Sequence, residues 1–240
     1  KAVTQQLHNA GHEVITVDLQ GTDICADLSD ESQCNEVVRK VREQAAEGLD
    51  GLIPCAGLGP DVPKKSLLPL VNFFGTVSLV EGLRPKLKQK RGAIVLISSN
   101  SAQMTEYDAH YMDTLLAGDR AGAVQLADTL QGQVLYGGSK QALARWMRRE
   151  NAAYAGEGIR MNAIAPGYTE TGMTAAGEES ADVGDAIRAF KASIPIGRAG
   201  SAVDQANAVL FLLSDKASFI SGSVLFVDGG HDATFRPDRF

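Results

Sequence analysis

Short segments that are apolar at nearly every position recur along the chain and alternate with longer segments of helical pattern. The clearest is Ala93–Ile97, an unbroken apolar run that is followed at once by four polar residues. A strand that is apolar on both faces is buried on both faces, which is typical of a parallel sheet with helices on either side. The further strands predicted in this way are residues 13–18, 23–27, 52–55, 160–165 and 224–227. Their alternation with helices predicts an α/β fold built on a doubly wound parallel sheet.

The length of the chain favours one domain over two, because 240 residues and 25.4 kDa lie within the usual size of a single α/β domain. We therefore expect residues 1–240 to form one domain. Residues 101–134 form an inserted helical segment within it, because 36 residues separate Ser99 from Tyr136 and a loop of that length generally carries structure of its own.

Composition excludes several classes of function. A net charge of −6 and a pI of about 5.3 argue against a surface for nucleic acid or for an acidic membrane. The three cysteines, Cys25, Cys34 and Cys55, fit no metal-ligand spacing and indicate reduced thiols rather than disulfides or a metal site. No apolar run reaches the ~18 residues of a membrane span. We expect a cytoplasmic protein with no metal.

Tyr136 and Lys140 lie four positions apart at the start of a predicted helix that runs to Arg149, with Leu143, Trp146 and Met147 on one apolar stripe. Phenol and ammonium therefore project from the same face. A neighbouring cation favours the phenolate, so the pair suits general acid–base chemistry on an alcohol or a carbonyl group. Taken alone, the pair is equally the interfacial Tyr and extended Lys of an ordinary amphipathic helix.

Polar residues follow the predicted strands at their carboxyl ends, where ligands collect in a doubly wound sheet. They are Asp18, Asp27, Ala56-Gly57, Ser99 and Pro166-Gly167. A carboxylate in the position of Asp18 accepts hydrogen bonds from both ribose hydroxyls of a dinucleotide and repels a 2′-phosphate, which favours NAD over NADP. By themselves, Asp18 and Ser99 are also ordinary turn residues.

The chain begins with a helical pattern over residues 1–10 that Gly11 ends. If this helix is a crossover, a strand and a Gly-rich phosphate-binding turn come before it. We therefore expect the first strand and that turn to lie before Lys1.

These residues together resemble the short-chain dehydrogenase/reductase family. Tyr136 and Lys140 match its Tyr-x-x-x-Lys motif, Ser99 matches its catalytic serine, and Asn72 matches the helix asparagine of its tetrad. Cys55-Ala56-Gly57 stands where the family usually has Asn-Asn-Ala-Gly, with Pro54 in place of an Asn. Residues 162–171 match its nicotinamide-contacting stretch. Within the family, the chain is most similar to the bacterial 3α-hydroxysteroid dehydrogenase/carbonyl reductase group.

The resemblance implies a single NAD-binding Rossmann domain and assigns roles residue by residue. The catalytic residues would be Asn72, Ser99, Tyr136 and Lys140, with Tyr136 as proton carrier, Lys140 lowering its pKa and binding ribose, Ser99 holding the substrate oxygen and Asn72 orienting Lys140 through water. The implied cofactor contacts are Asp18, Leu19, Asp27, Leu28, Cys55, Ala56, Gly57, Tyr136, Lys140, Pro166, Gly167, Thr169 and Thr171.

The implied activity is NAD(P)-dependent interconversion of a secondary alcohol and a ketone, with NAD favoured and a 3α-hydroxysteroid or another bulky hydrophobic alcohol as substrate. Two alternatives stay open: an acyl-thioester carbonyl reductase, which usually requires NADP, and a non-catalytic dinucleotide sensor on the same fold. Residues 172–194 would cover the substrate.

The inserted segment also bears on assembly. Residues 113–130 show a helical apolar stripe of Leu115, Leu116, Ala123, Leu126, Ala127 and Leu130. In most members of the resembled family, the helices that bear Asn72 and Tyr136 pair across a two-fold axis. We expect the added helix to cover that face, so that a homodimer forms instead through residues 201–214 and 223–227.

Overall fold

The computed structural model describes residues 1–104, 107–171 and 184–239. All strand pairs are parallel, which confirms the doubly wound α/β fold. Strands β1 (Val17–Asp18) and β2 (Ile24–Cys25) form one short sheet. A larger sheet has the order β3-β4-β5-β6, and its strands are β3 (Gly51–Leu52), β4 (Ala93–Ile97), β5 (Arg160–Pro166) and β6 (Val224–Val227).

The first three strands are shorter than the sequence predicted, because pairing rather than apolar pattern defines a strand. Only the last two residues of 13–18 pair, in register with Ile24–Cys25, and β3 pairs with β4 over two residues. In the described part of the chain, β1 and β3 share no hydrogen-bonded edge. The expectation of a further strand before Lys1 stays a prediction.

Helices cover both faces of the larger sheet. They are α1 (Ala2–Asn9), α2 (Glu31–Gln44), α3 (Leu67–Pro69), α4 (Thr76–Lys90), α5 (Ser101–Met104), α6 (Ala109–Leu116), α7 (Arg120–Thr129), α8 (Gly132–Gly156), α9 (Gly184–Ala192), α10 (Ala202–Leu213) and α11 (His231–Phe235). Alternate residues of β4 point to opposite layers. Ile94 and Leu96 join the core under α4 and α8, whereas Val95 packs with Val209 and Leu212 of α10. This alternation explains why β4 is apolar throughout.

Side chains cap the N-termini of two helices. In the capping box of α10 the Ser201 hydroxyl accepts from Asp204 N–H and the Asp204 carboxylate accepts from Ser201 N–H. Asp30, in extended conformation directly before α2, caps that helix by accepting hydrogen bonds from the N–H groups of Ser32 and Gln33.

A continuous helical segment, Leu67–Lys90, is long and apolar enough to cross a membrane by length and composition, contrary to the expectation that no segment would be. In the structure 56% of its most apolar window is buried inside the protein. Burial in the core of the protein therefore accounts for the apolar composition of this helical segment without a membrane.

The inserted segment forms two helices where the sequence predicted one over residues 113–130. Gly118, with φ +76°, takes a left-handed conformation between α6 and α7 and turns the chain there. Leu115, Ala123 and Ala127 of the predicted stripe are fully buried, in one core with Phe74 and Leu135. The stripe thus packs against the segments that bear Asn72 and Tyr136, as expected, although a turn interrupts it.

Candidate active site

Ser99 lies directly beyond the carboxyl end of β4 and is nearly buried, with 6% of its surface exposed. Its hydroxyl accepts a hydrogen bond from the Ser101 N–H at 3.1 Å. The neighbouring Ser98 has a different partner: its hydroxyl donates a hydrogen bond to the backbone carbonyl of Lys140 at 3.0 Å. Ser98 therefore connects the end of the strand to α8, a bond that was not anticipated from the sequence.

Tyr136 and Lys140 both lie on α8, which begins at Gly132 and extends to Gly156. The helix is longer than predicted, and Gly137 and Gly138 lie inside it rather than at its entry. The Lys140 ammonium donates to the Ile97 carbonyl oxygen at 2.9 Å and lies 6.0 Å from the centre of the Tyr136 ring. Leu143, Trp146 and Met147 are buried, as the stripe predicted.

Both Tyr136 and Lys140 have pKa values shifted from their ordinary ones. Burial raises the pKa of Tyr136 above its ordinary value, although the Ser99 hydroxyl acts in the opposite direction. Burial also lowers the pKa of Lys140 to about 8. Burial therefore dominates the pKa of this phenol, and the ammonium of Lys140 is directed to Ile97; that Lys140 lowers the pKa of Tyr136 stays a prediction.

Asn72 is fully buried within a π-helical segment, Leu70–Gly75, that joins α3 to α4. Its carboxamide forms two hydrogen bonds with the backbone of Leu58: it accepts from the N–H at 2.7 Å and donates to the carbonyl at 3.0 Å. Asn72 thus fixes the turn after β3. π-helical insertions often occur at functional sites, but nothing in the sequence indicated this one.

The turn over residues 55–57 approaches the Lys140 ammonium and the Asn72 carboxamide. A methyl group at Gly57 would lie 3.3 Å from the Lys140 ammonium nitrogen and 3.5 Å from the Asn72 amide oxygen. Cys55 and Ala56 are exposed next to it. The backbone of this turn therefore lines an open surface beside a buried cation.

The acidic residues predicted for the adenosine end follow β1 and β2. Asp18 is exposed and accepts a hydrogen bond from the N–H of Leu19 at 2.7 Å, while the Leu19 side chain is 65% exposed. Asp27 is half-buried and accepts from the N–H of Ser29 at 2.8 Å, and Leu28 is buried. Both carboxylates lie at carboxyl strand ends, as predicted.

Pro166 ends β5, and Gly167 packs tightly against the turn after β6, since a methyl group there would lie 2.5 Å from the Asp228 side chain. Thr169 donates to the Gly167 carbonyl and accepts from the Gln205 amide at 3.1 Å. Gln205 was not singled out from the sequence. Thr171 is exposed, and residues 172–183 of the predicted substrate-covering stretch lie outside the described residues.

A buried contact joins α8, the helix that bears Tyr136 and Lys140, to the inserted segment. The Tyr111 hydroxyl of α6 and the Ser139 hydroxyl of α8 lie 2.8 Å apart, and Ser139 donates onward to the Leu135 carbonyl. A methyl group at Gly138 would lie 3.0 Å from the Tyr111 ring. The glycine next to Ser139 therefore permits the close approach of α6.

Comparisons with known proteins identify the family. A short chain dehydrogenase family model matches residues 1–111, and a model described as enoyl-(acyl carrier protein) reductase matches residues 122–232. The 3-alpha-hydroxysteroid dehydrogenase/carbonyl reductase of Comamonas testosteroni is 35% identical over 100% of this chain and 94% of its own length. The chain belongs to the short-chain dehydrogenase family.

Two further similarities support membership. The crystal structure of a 3-alpha-hydroxysteroid dehydrogenase from Pseudomonas sp. B-0831 complexed with NADH has a TM-score of 0.92 at 37% identity, covering 100% of this chain and 94% of that one. The vibriobactin-specific 2,3-dihydro-2,3-dihydroxybenzoate dehydrogenase of Vibrio cholerae is 32% identical over 85% of this chain and 73% of its own length. This short-chain dehydrogenase is an oxidoreductase that uses a nicotinamide dinucleotide to interconvert CH–OH and carbonyl groups.

The donors and acceptors present in this short-chain dehydrogenase fit such a dinucleotide. The exposed carboxylate of Asp18 suits ribose hydroxyls, and the close approach of the Gly57 backbone to Lys140 leaves a surface that a larger side chain would fill. When bound, the dinucleotide supplies or accepts hydride. The chain itself contributes a phenol, a hydroxyl and a buried ammonium at the end of β4.

Proposed function

We propose that this chain oxidises secondary alcohols, and reduces the matching ketones, with Tyr136 as the proton carrier. The observation that carries the proposal is that the Lys140 ammonium lies 6.0 Å from the centre of the Tyr136 ring and is held by the Ile97 carbonyl, two residues before Ser99, at the carboxyl end of β4 where the ligand side of a doubly wound sheet lies. In reduction, the Tyr136 O–H donates its proton to the substrate oxygen, and in oxidation the phenolate removes it.

Ser99 and Lys140 assist this transfer in different ways. The Ser99 hydroxyl donates to the substrate oxygen and stabilises the charge that develops there. The Lys140 ammonium binds ribose hydroxyls and becomes a nearby cation for the phenolate once the phenol loses its proton. Asn72 holds the turn at Leu58, and through it the wall beside Lys140, as a positioning residue.

The remaining residues of the cofactor surface lie at successive strand ends, from Asp18 and Asp27 to Gly167 and Thr169. We assign NAD rather than NADP as the preferred cofactor. Asp18 is exposed and forms no ion pair among the described residues, so its negative charge is available to repel a 2′-phosphate.

For the substrate we propose a bulky hydrophobic secondary alcohol, of which a 3α-hydroxysteroid is the leading example. Support comes from two relatives that match this chain over its full length, both named as 3-alpha-hydroxysteroid dehydrogenases. One family model is described as an enoyl-(acyl carrier protein) reductase, which suggests an acyl-thioester substrate, although an enoyl reductase acts on a C=C bond rather than a carbonyl group. The carboxylate of Asp18 also disfavours the NADP that acyl-thioester carbonyl reductases usually require. The sensor alternative is disfavoured because all four tetrad positions are filled.

A single assay separates these possibilities. Nicotinamide absorbance is followed with NAD and with NADP against 3α- and 3β-hydroxysteroids, aromatic secondary alcohols and a β-ketoacyl thioester. We expect NAD-dependent oxidation of a 3α-hydroxysteroid or an aromatic alcohol. Thioester reduction with NADP would establish the first alternative, and dinucleotide binding without turnover of any compound would establish the second.

We further propose a cytoplasmic homodimer. Large exposed hydrophobic side chains of the described residues gather around α10 and β6: Val203, Phe211, Phe219 and Leu225. None is exposed on α7, whose apolar stripe is buried against α3 and the π segment. A two-fold dimer through α10 and β6 would cover this apolar surface.

A further inference from the structure

Two polar contacts join the inserted helices α6 and α7 to segments that carry candidate site residues. One contact, between Tyr111 and Ser139, holds α6 to the helix that carries the proton donor. The other is made by Arg120, the first residue of α7, whose guanidinium donates a hydrogen bond to the backbone carbonyl of Ser29. Ser29 belongs to the loop after β2 that carries Asp27 and Leu28.

That loop is held between two surfaces. On one side, the Gly75 backbone is so close that a methyl group there would lie 2.5 Å from the Leu28 carbonyl oxygen. On the other side, Arg120 is half-buried, with its guanidinium 5.5 Å from the centre of the Phe74 ring. Because Phe74 and Gly75 belong to the same π segment as Asn72, Arg120 links that segment to the loop.

The contacts inside the loop determine where the Asp27 carboxylate lies. The Asp27 carboxylate accepts from the N–H of Ser29, the same residue whose carbonyl Arg120 holds. The Leu28 carbonyl accepts from the thiol of buried Cys34 at 3.4 Å. A shift of Ser29 would therefore move the carboxylate directly. Arg120 forms no ion pair among the described residues, so its donors are available for this carbonyl.

We propose that Arg120 is a positioning residue for the adenine end of the dinucleotide, through which the inserted helices hold the Asp27–Ser29 loop at a fixed place relative to the catalytic helix. This inference rests on the proposed role of Asp27 and Leu28 in cofactor binding. Arg120 touches neither the cofactor nor the substrate. Its loss weakens binding of the adenosine half and leaves the chemical step intact.

The test compares Arg120→Met with Arg42→Met. Arg42 is a matched control, because its guanidinium also donates to a backbone carbonyl of another element, that of Gly82, but on the far end of α2. ADP-ribose binding is measured by calorimetry, and KM for NAD and kcat are measured on the same preparations. For Arg120→Met we expect Kd for ADP-ribose and KM for NAD to rise about tenfold while kcat changes less than about twofold. Arg42→Met keeps wild-type values.

Equal affinities for the wild-type protein and Arg120→Met would overturn the inference, and so would equal losses in both variants, because these indicate general destabilisation. If Arg120→Met fails to fold, Arg120→Lys is measured instead. It keeps the charge near Phe74 but loses the planar donor geometry, so a rise of about threefold in Kd supports the inference and an unchanged Kd overturns it. Absence of dinucleotide binding in the wild-type protein would count against the proposed function and the inference together, whereas normal wild-type binding with an unaffected Arg120→Met defeats the inference alone.

Discussion

Lys140 and Ile97 are joined by a hydrogen bond in which the side-chain ammonium donates to the last carbonyl oxygen of β4 at 2.9 Å. One residue later, the Ser98 hydroxyl donates back to the Lys140 carbonyl at 3.0 Å. These two bonds fix α8 against the end of the strand from which Ser99 extends. The relative position of phenol, hydroxyl and ammonium is therefore set by the backbone of β4, which favours a rigid site.

Replacing Tyr136 by Phe removes only the phenol oxygen. We expect turnover to fall by ~10² to 10⁴-fold, which is the usual contribution of general acid–base catalysis, while NAD binding stays nearly unchanged. Steady-state rates and calorimetric NAD affinity measure the two effects. Tyr154→Phe is the matched control, because the Tyr154 hydroxyl is buried and has no hydrogen-bond partner among the residues that the structure describes, so its loss leaves the rate as it was. A Tyr136→Phe enzyme that keeps more than about a tenth of the wild-type rate would rule Tyr136 out as the acid.

Lys140 should leave a signature in the pH dependence of stability. Its pKa falls from 10.5 in the unfolded chain to about 8 in the folded protein because it is desolvated. Below pH 8 both states carry the ammonium, and its burial costs free energy. Between these two values the folded state binds fewer protons than the unfolded one, so stability rises with pH.

Urea unfolding of the cofactor-free protein measures this effect against Lys140→Met. Between about pH 7.5 and about pH 9.5 we expect the free energy of unfolding of the wild type to rise by about 2 kcal/mol relative to that variant. Lys40→Met is the control, since the Lys40 side chain is 42% exposed and forms an ion pair with Glu36 on its own helix. The same pH slope in the wild type and in Lys140→Met would show that Lys140 keeps its ordinary pKa.

The Asp18 carboxylate should set the preference between NAD and NADP. Asp18→Ser removes the repulsion of a 2′-phosphate, and adding Leu19→Arg at the exposed neighbouring position supplies a cation for it. We expect the ratio of kcat/KM for NADP to that for NAD to rise by about 10- to 100-fold in the double variant. Asp23→Ser is the control, because the Asp23 carboxylate is occupied by Thr16. Equal kinetics with both cofactors in the unmutated enzyme would contradict the assignment.

The sequence predicted those parts of the site that depend on local spacing. Tyr136 and Lys140 share a helix face, and Ser99 follows an apolar strand, so their positions could be inferred without tertiary structure. The π segment around Asn72 could not be inferred in this way, because the contact of Asn72 with Leu58 joins residues 14 positions apart in the chain. The direction of the Tyr136 pKa shift could not be predicted from the sequence either, since it depends on the balance between burial and charge in the folded protein. Gly118 could have indicated the break between α6 and α7, but an uninterrupted apolar stripe outweighed a single glycine.

The last prediction concerns which face of the protein associates. Helix α7 packs against α3 and the π segment that bears Asn72, and α6 packs against α8, which bears Tyr136, so the inserted helices cover apolar surface of both segments. Val203 and Phe211 on α10, by contrast, are 53% and 41% exposed, next to the edge strand β6. In a two-fold dimer each substitution occurs twice in one interface, so a single carboxylate introduced here places two like charges near each other.

We expect Phe211→Asp to weaken dimerisation by about 100-fold, as charged replacement of a central apolar side chain does, and analytical ultracentrifugation over a concentration series measures it. Gln125→Asp, on the exposed face of α7, serves as the control and stays dimeric. Dissociation by Gln125→Asp with a stable Phe211→Asp dimer would move the interface to the inserted helices and refute the assignment.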